Sequence, residues 1–418
     1  MRRWLIVTAA VLAGAGPAAA EPIAIVGAKV HVRPGQTLEA ATVIIDGGKV
    51  TVVGLAAAMP AGARVIDGKG KVVTAGFIEP LSGVGLIGVE QEGSSNDGRF
   101  GARDDVHDDP VHAAYQARDG FDPHGITVAV ARSGGITTVI AVPLGGLVSG
   151  QSAAYTLDGA TEPVRAPAAM HAQLGSGGGG AAGGSRGRAI ELLRELLDDA
   201  RAYGRDRAGY ERNARRRMIA DRLDLEALQP VLRGATPLVV SAHAEADIRA
   251  ALRLARDFRL RLVIVGGAEA WRVAGELAKA KVAVVLDPTD NLPRMLEADD
   301  VRDDRATVLA RAGVAVAVSP LGNGHQARTL RQLAGVAVGA GLTWEQGLAA
   351  VTTVPAAIYG LGGRGTVEKG AIADLVVWSG DPLELSSAAE VVIIGGVVQS
   401  NVNHQTRLLD RYRTLPAR

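Results

Sequence analysis

The stretch that decides the fold reads VIDGKGKVVTAGFIE and runs from Val65 to Glu79. Val65-Ile66-Asp67 is strand-like, and the turn residues Gly68-Lys69-Gly70 separate it from a second apolar run at Val72-Val73. Together with the hairpin around Asp46-Gly47-Gly48-Lys49, these segments form a sheet too small to enclose a core of its own. The sequence therefore predicts that strands from elsewhere in the chain complete this sheet.

Matching strands occur near the other end of the chain. The run Gly365 to Gly370 leads into the apolar segment Ala373 to Trp378, and Val391 to Val398 reads as strand, turn and strand. Both ends therefore predict a small composite β-sandwich domain, formed by residues 21–75 and 366–403. Residues 404–418 are predicted to be a C-terminal tail.

The central insertion, residues 76–365, alternates strands with helical patterns such as Glu245 to Phe258. Strand and helix alternation predicts an α/β fold, and about eight strands favour a TIM-like (β/α)8 barrel. A doubly wound open sheet is the alternative, because counting strands does not establish closure. The predicted strands are Val73 to Ile78, Ile136 to Val142, Ala154 to Leu157, Ala168 to Leu174, Pro237 to Ala242, Arg261 to Val265, Val282 to Leu286 and Val314 to Ser319.

Two segments interrupt this alternation. Gly175 to Gly187 is almost entirely Gly, Ala and Ser, which predicts a mobile loop. The charged segment from Arg188 to Met218 predicts one long helix. Its Arg-rich end, Arg212 to Arg217, could attract an anionic partner, but a solvated helix face is favoured because acidic residues are interspersed nearby.

The first twenty residues have the order of a secretory signal peptide. Arg2 and Arg3 precede an apolar stretch from Trp4 to Ala15, and Ala18-Ala19-Ala20 offers a small-residue cleavage site. We expect cleavage after Ala20, which places the mature protein in the periplasm or outside the cell. We expect no membrane association once the signal is removed, because Gly and charged residues interrupt every later apolar run.

Composition excludes several functions. The formal net charge is +1 and aromatic residues make up 3% of the chain, which argues against a nucleic-acid partner. The chain has no cysteine, so any metal site must use His, carboxylate or carbonyl ligands. The chain also lacks the glycine motif of phosphate-binding loops. A small molecule is therefore the expected ligand.

The mature chain as a whole resembles the amidohydrolase superfamily, the metal-dependent hydrolases related to imidazolonepropionase and dihydroorotase. Val65 to Glu79 resembles the family's entry into its first barrel strand, and Gly365 to Trp378 resembles its return to the β-domain. Thr352 and Pro355-Ala356-Ala357 resemble its last barrel helix. The resemblance implies a barrel that hydrolyses carbon–nitrogen bonds in non-peptide or dipeptide-like amides.

The resemblance also implies a metal-ligand set that this sequence largely lacks. The family's His-x-His pair falls on Leu81 and Gly83, its late histidine on Gly266, and its final-strand aspartate, which is both ligand and base, on Ser319. His243 alone matches a family ligand. We therefore expect a degenerate hydrolase, or pseudoenzyme, that binds a small molecule, with no confident cofactor. The alternative is an active amidohydrolase that uses a nonstandard site around His243 and a single divalent metal such as zinc.

Other residues could substitute for the missing ligands. His171 and Asp287 follow or lie in barrel strands and could join His243 at one metal, with His243 and Asp287 as the catalytic candidates. For each lone histidine, the competing interpretation is a hydrogen-bonded residue at the barrel rim. Glu269 and Ser152 are further polar candidates. The predicted substrate-binding residues are His171, Gln151, Asn323 and His325.

An acidic stretch from Asp104 to His112 could hold a divalent ion weakly, although a solvated loop is favoured because nothing in it fixes ligand geometry. Members of the resembled family commonly form oligomers. We therefore expect a homo-oligomer or a complex with a related amidohydrolase.

Overall fold

The structure is a computed structural model, and it describes residues 21–55, 57–99, 109–214 and 216–414. The predicted signal peptide therefore lies outside the described residues. In chain order, the strands are β1 (Ile23–Arg33), β2 (Gln36–Asp46), β3 (Lys49–Gly54), β4 (Arg64–Asp67), β5 (Val72–Ala75), β6 (Phe77–Ser82), β7 (Ile136–Ala141), β8 (Val148–Thr156), β9 (Arg165–Gln173), β10 (Leu238–Ala242), β11 (Leu262–Gly266), β12 (Ala283–Leu286), β13 (Val316–Val318), β14 (Leu375–Trp378), β15 (Ala389–Ile394) and β16 (Val397–Val398).

Most of the helices follow barrel strands, and α7 has the bounds that the sequence predicts. None of them, within the described residues, is both long and apolar enough to cross a membrane. In chain order, they are α1 (Ile126–Ser133), α2 (Gly175–Ala181), α3 (Arg186–Arg205), α4 (Arg207–Glu211), α5 (Arg222–Ala227), α6 (Gln229–Leu232), α7 (Glu245–Phe258), α8 (Ala274–Lys279), α9 (Arg305–Arg311), α10 (Leu330–Gly339), α11 (Trp344–Val351), α12 (Thr353–Tyr359) and α13 (His404–Tyr412).

The two ends of the chain form one sheet, as the sequence predicts. Its strand order is β16-β15-β14-β5-β1-β2-β3, and β4 pairs with β1. The decisive pairing is antiparallel, between β14 and β5, with Leu375 opposite Ala75 and Trp378 opposite Val72. Side chains from both ends share one apolar core that includes Ile25, Val43 and Leu375. The domain boundaries given above remain a prediction.

The predicted strand Val73 to Ile78 is wrong, because the chain changes sheets at Gly76. The segment before Gly76 belongs to β5 and the segment after it to β6. A Cβ atom on Gly76 would lie 2.1 Å from Cγ2 of Thr137, so only glycine fits at this crossing. The backbone N–H of Gly76 donates to the carbonyl of Asp374 at 2.7 Å, which fixes the crossing to the composite sheet.

The second sheet curls into a nearly closed barrel, which confirms the predicted α/β fold class. Its strand order is β13-β12-β11-β10-β9-β8-β7-β6. The two edge strands meet because the N–H of Gly322, just after β13, donates to the carbonyl of Leu81 in β6 at 2.8 Å. In an open doubly wound sheet the edge strands would lie far apart, so that alternative does not apply.

One barrel strand runs against the others. β8 is antiparallel to both neighbours, with Thr156 opposite Thr138 of β7 and Ser152 opposite Ala169 of β9. The short strand predicted at Ala154 to Leu157 is the end of this longer one. A reversed strand needs no crossover helix, and its amino end lies at the barrel mouth, beside the carboxyl ends of the other strands.

The Gly-rich and Arg-rich segments differ from their predictions. The segment predicted as a loop contains α2, and the predicted long helix stops at Arg205. Asp206 ends it with a non-helical backbone, and its carboxylate accepts from the N–H of Gly209 at 2.8 Å to begin α4. The buried carboxylate of Asp199 then binds the N–H of Ile219 at 2.8 Å and the guanidinium of Arg216, which folds the following segment back onto α3.

Candidate functional site

A cavity of about 590 Å³ opens at the barrel mouth. Its position agrees with the general rule that barrel enzymes place their sites at the carboxyl ends of the strands. Among the described residues, no carboxylate lines it. The apolar lining residues are Leu81, Pro143, Leu144, Gly145, Ala172, Val239, Val265 and Leu321, and the polar ones are Arg99, Ser149, His171, Gln173, Ser241 and His243.

His171 lies on β9 and is 4% exposed. Its Nε2 is 2.8 Å from the hydroxyl oxygen of Ser152 on β8, and its Nδ1 forms no hydrogen bond with a described residue. Burial lowers the pKa of His171 from 6.5 to about 3, so the imidazole is neutral at ordinary pH. His171 therefore offers the cavity an uncharged hydrogen-bonding group.

His243 follows β10 and borders the same cavity. Its Nδ1 is buried and has no hydrogen-bond partner among the described residues. Burial lowers the pKa of His243, while the nearby carboxylates of Glu297 and Asp290 act in the opposite direction. The ring lies directly on Gly266, where an added Cβ would be 2.5 Å from Cε1.

A buried carboxyl lies where β6 and β13 meet. Oε1 of Glu79 accepts from the Ser319 hydroxyl at 2.6 Å and from the N–H of Leu81 at 3.1 Å. Its Oε2 is buried and has no hydrogen-bond partner in the part of the chain that the structure describes. Burial raises the pKa of Glu79 from 4.5 to about 7, although these hydrogen bonds favour the ionised form. Tyr359 closes the same region by donating its hydroxyl to the carbonyl of Pro80 at 2.6 Å.

Comparisons with known proteins agree with this architecture. Residues 310–399 match the model of the amidohydrolase family. The chain is 24% identical to amidohydrolase tasK of Hapsidospora irregularis over 398 residues, which cover 85% of this chain and 39% of that protein. The chain thus spans well under half the length of this curated relative.

Solved structures extend the likeness over nearly the whole chain. The crystal structure of an amidohydrolase from Thermotoga maritima MSB8 superposes with a TM-score of 0.81 at 28% identity, covering 90% of this chain and 99% of that one. The chain belongs to the amidohydrolase superfamily. An atrazine chlorohydrolase from Arthrobacter aurescens TC1, complexed with zinc, shares the fold with a TM-score of 0.54 at 18% identity, covering 93% of this chain and 98% of that one.

The two positions to which the sequence resemblance assigns the family's first pair of metal ligands lie in closely packed surroundings. Leu81 belongs to the apolar cluster that fills the barrel and that also contains Ile78 and Val265. At Gly83, an added Cβ would lie 2.8 Å from the carbonyl oxygen of Gly322. The turn after β13 therefore occupies the space into which a histidine at position 83 would project.

The later amidohydrolase positions are occupied in the same way. The imidazole of His243 covers Gly266, which has a φ of +85° and no room for a side chain. At the final strand, the Ser319 hydroxyl donates to Glu79. Neither position supplies a carboxylate or a second imidazole beside His243.

The donor set does not fit the divalent metal that the superfamily implies. A zinc site generally needs three protein ligands, and no group of three or more His, Asp or Glu within the described ranges could hold an ion. The structure brings His171 and His243 to one cavity, but Asp287 does not line it. Oδ1 of Asp287 instead accepts from the N–H and hydroxyl of Thr289 at 2.8 and 2.6 Å.

The other predicted site residues lie outside the cavity lining. The Gln151 amide donates to the carbonyl of Ala113 at 3.0 Å, and Oδ1 of Asn323 accepts from the N–H of Gln326 at 3.2 Å. His325 is exposed in the 3₁₀ turn that follows Asn323. Glu269 accepts from the N–H of Glu245 at 2.8 Å.

Most of the predicted acidic stretch, residues 104–108, lies outside the described residues. Asp109, at its end, has a local structural role, because Oδ1 accepts from the N–H of Val111 at 2.9 Å.

Sequence reasoning missed several residues of the cavity and one, Glu79, at the seam where β6 and β13 meet. Ser149 reaches the mouth only because β8 is reversed, and no sequence pattern announces that reversal. Ser241 and Gln173 were visible as polar residues near the ends of predicted strands and could have been found on that ground. Glu79 was visible as a carboxylate inside an apolar strand, which is a signal of a partnered or functional group.

Proposed function

We propose that this protein is a periplasmic member of the amidohydrolase superfamily that binds a small molecule at the barrel mouth, with little or no metal-dependent hydrolysis. The single observation that carries the proposal is the packing at Gly83 and Gly266. A carbonyl oxygen and an imidazole ring occupy the space that two family ligands would need. Without a bound metal to lower the pKa of water, the family's nucleophile is not available.

The cavity itself supports binding. Its volume of about 590 Å³ is in the range of small-molecule sites, and apolar walls with a few hydrogen-bonding groups are typical of them. His171 and His243 can hydrogen-bond without charge, because burial lowers the pKa of each. We propose a cyclic amide or peptide-like ligand, whose N–H and carbonyl groups match these side chains.

One observation favours a second candidate, an active hydrolase with a nonstandard site around His243. The buried Nδ1 of this residue has no partner among the described residues, and the carboxylates of Glu297 and Asp290 are near enough to influence its pKa. Unpartnered polar atoms in a cleft are candidates for ligand or catalytic contacts.

Metal content separates the two candidates. We expect purified mature protein to contain far less than one equivalent of zinc, manganese or iron by mass spectrometry, and to hydrolyse neither dipeptides nor hydantoin. His243→Ala should leave metal content unchanged, with the exposed His325→Ala as control. Stoichiometric metal that is lost only in His243→Ala, or hydrolysis of either substrate class, would favour the second candidate and reject the first.

Binding is tested with hydantoin and the dipeptide Ala-Ala, by NMR line broadening on added protein. Broadening should decrease in Ser241→Leu, which narrows the cavity, and persist in His325→Ala. Broadening that is equal in both variants would place binding outside the mouth and reject the proposal.

Export and assembly complete the proposal. We expect the mature chain isolated from periplasm to begin at Glu21, and sequencing of its amino terminus tests this. We also propose self-association or a complex with a related amidohydrolase, which sedimentation of the mature chain, alone and with such a partner, would detect.

A further inference from the structure

Helix α2 directly follows the cavity-lining end of β9, and its sequence is a poor helix former. It reads GSGGGGA from Gly175 to Ala181. Glycine in a helix costs about 1 kcal/mol per residue relative to alanine, because the flexible backbone loses the most entropy. A helix of this composition needs contacts from outside to persist.

Glu297 supplies such a contact from the loop that follows β12. The N–H of Ser176 donates to Oε2 of Glu297 at 2.6 Å, and the Ser176 hydroxyl donates to Oε1 at 2.8 Å. Both carboxylate oxygens therefore bind the first turn of α2, where backbone N–H groups lack helical partners. Gly175 permits the approach, since a Cβ there would lie 2.4 Å from Oε2.

The strand order shows what this contact crosses. β9 and β12 are separated in the barrel by β10 and β11, so a link from the β12 loop to the end of β9 passes over the ends of β10 and β11. His243 and Gly266 lie at those ends. The Glu297 carboxylate is near enough to His243 to raise its pKa against the effect of burial.

The base of the loop is fixed, and Glu297 near its far end rests on α2. The buried guanidinium of Arg305 donates to the carbonyl of Asp290 at 2.6 Å and also to that of Asp287. Between this anchor and Glu297, the loop exposes large apolar side chains, including Leu296 at 96%. Beyond Glu297, the carbonyl of Asp300 accepts from Nε1 of Trp271 at 2.9 Å, and its carboxylate pairs with Arg272. The loop is therefore fixed at both ends, and the two hydrogen bonds of Glu297 to Ser176 link it to α2.

We propose that residues 288–298 form a releasable strap across one side of the barrel mouth, with Glu297 as its latch on Ser176. The inference rests on the proposed function only in assigning the cavity a ligand. When the latch opens, α2 loses its capping acceptor and its glycines favour the unfolded state. Release then widens access to the side of the cavity that His243 and Ser241 line.

The absence of native cysteine allows a direct test of access. Ser241→Cys places one thiol on the cavity wall, and its rate of labelling by N-ethylmaleimide reports how accessible this side of the mouth is. Adding Glu297→Ala should raise that rate about tenfold or more, since it removes two charge-assisted hydrogen bonds. Asp299→Ala removes an exposed carboxylate from the same segment of the chain. It should change the labelling rate less than twofold, because exposed charges contribute little.

Two further measurements exclude unfolding as the cause. A thiol at exposed Ser386, introduced as Ser386→Cys, should label at one rate in every background. Ser176→Ala, which removes one of the two hydrogen bonds, should give an intermediate rate at Ser241→Cys, and amide exchange should accelerate in residues 175–184. Equal labelling at Ser241→Cys in the Glu297→Ala and Asp299→Ala backgrounds would overturn the strap.

The strap and the proposed function fail separately. Faster labelling in a protein that binds neither hydantoin nor Ala-Ala would keep the strap and reject the ligand. Ligand broadening together with unchanged labelling would reject the strap alone.

Discussion

The composite sheet and the barrel each bury a carboxylate where separate parts of the chain meet, and their surroundings differ. Asp374 precedes β14 and is 3% exposed; Oδ2 accepts from Nε of Arg364 at 2.8 Å, and Oδ1 accepts from the N–H of Gly395 at 2.8 Å. Glu79, where β6 and β13 meet, has no cation beside it among the described residues, and its Oε2 has no hydrogen-bond partner among them. Burial raises the pKa of both, but the Arg364 charge opposes the shift at Asp374.

This difference separates scaffold from site. A buried carboxylate with a cation and a backbone donor is a structural tie, and breaking it should strongly destabilise the fold. A buried carboxylate without a cation is held at a cost by the rest of the fold, and such groups cluster at functional sites. The tie at Asp374 thus belongs to the scaffold, while the unpaired Glu79 belongs to the part of the barrel for which we propose an altered site.

The largest expected effect comes from breaking the tie in the composite sheet. Arg364→Met removes the cation and leaves Asp374 buried and unpaired, which should lower the free energy of unfolding by about 3–5 kcal/mol. The urea midpoint, followed by circular dichroism, measures this loss.

The matched control breaks an exposed ion pair in the same region. Arg33→Met removes the partner of Glu368, whose side chains are 57% and 44% exposed, and should cost at most about 1 kcal/mol. Equal midpoints for the two variants would show that the Asp374 tie contributes no more than a surface pair.

The second effect concerns pH and has opposite signs at Glu79 and His171. The folded pKa of Glu79 is raised from 4.5 to about 7, so the folded state holds the extra proton and stability falls as pH rises through this window. The folded pKa of His171 is lowered from 6.5 to about 3, so the unfolded state holds the extra proton and stability rises with pH from 3 to 6.5. Between pH 4.5 and 6.5 the two contributions largely cancel.

Single substitutions should expose each slope. Relative to the unchanged protein, Glu79→Gln should gain about 3 kcal/mol of stability as pH rises from 4.5 to 6.5, and His171→Gln should lose a similar amount, at roughly 1.4 kcal/mol per pH unit for each group. Urea midpoints at three pH values measure both. Exposed Glu345→Gln is the control and should run parallel to the unchanged protein; a parallel Glu79→Gln profile would show that the buried carboxyl does not titrate there.

The composite sheet was accessible to sequence reasoning because its signals are local. Turn glycines around Lys69 and a continuous apolar run around Val376 mark strands directly, and the superfamily resemblance joins the two ends. The division at Gly76 was not accessible. It depends on Thr137, which lies in a different strand and leaves no room for a side chain at position 76.

The barrel mouth was less accessible because it depends on contacts between distant segments. The absence of side-chain ligands at Leu81 and Gly83 can be read directly, but the carbonyl of Gly322 that fills the space cannot. Apolar alternation does not encode strand direction, so the reversal of β8 left Ser149 unnoticed. Composition alone also favoured a loop over α2, since the carboxylate that caps this helix comes from Glu297, far along the chain.

The smallest expected effect tests how closely the barrel mouth is packed. Gly83→Ala adds one methyl group 2.8 Å from the carbonyl oxygen of Gly322, a backbone atom that cannot rotate away. We expect a loss of about 1–2 kcal/mol in the free energy of unfolding, measured by the urea midpoint, as for other overpacked positions. Gly93→Ala is the matched control, since its added methyl would meet nothing within 4 Å, and it should change the midpoint little. If Gly83→Ala were equally harmless, the turn after β13 could yield to a side chain, and the space for a histidine at this position would be recoverable. A measurable loss of stability in Gly83→Ala alone would mean that a histidine at position 83 requires the turn after β13 to move. That turn is the one whose Gly322 N–H hydrogen-bonds to β6.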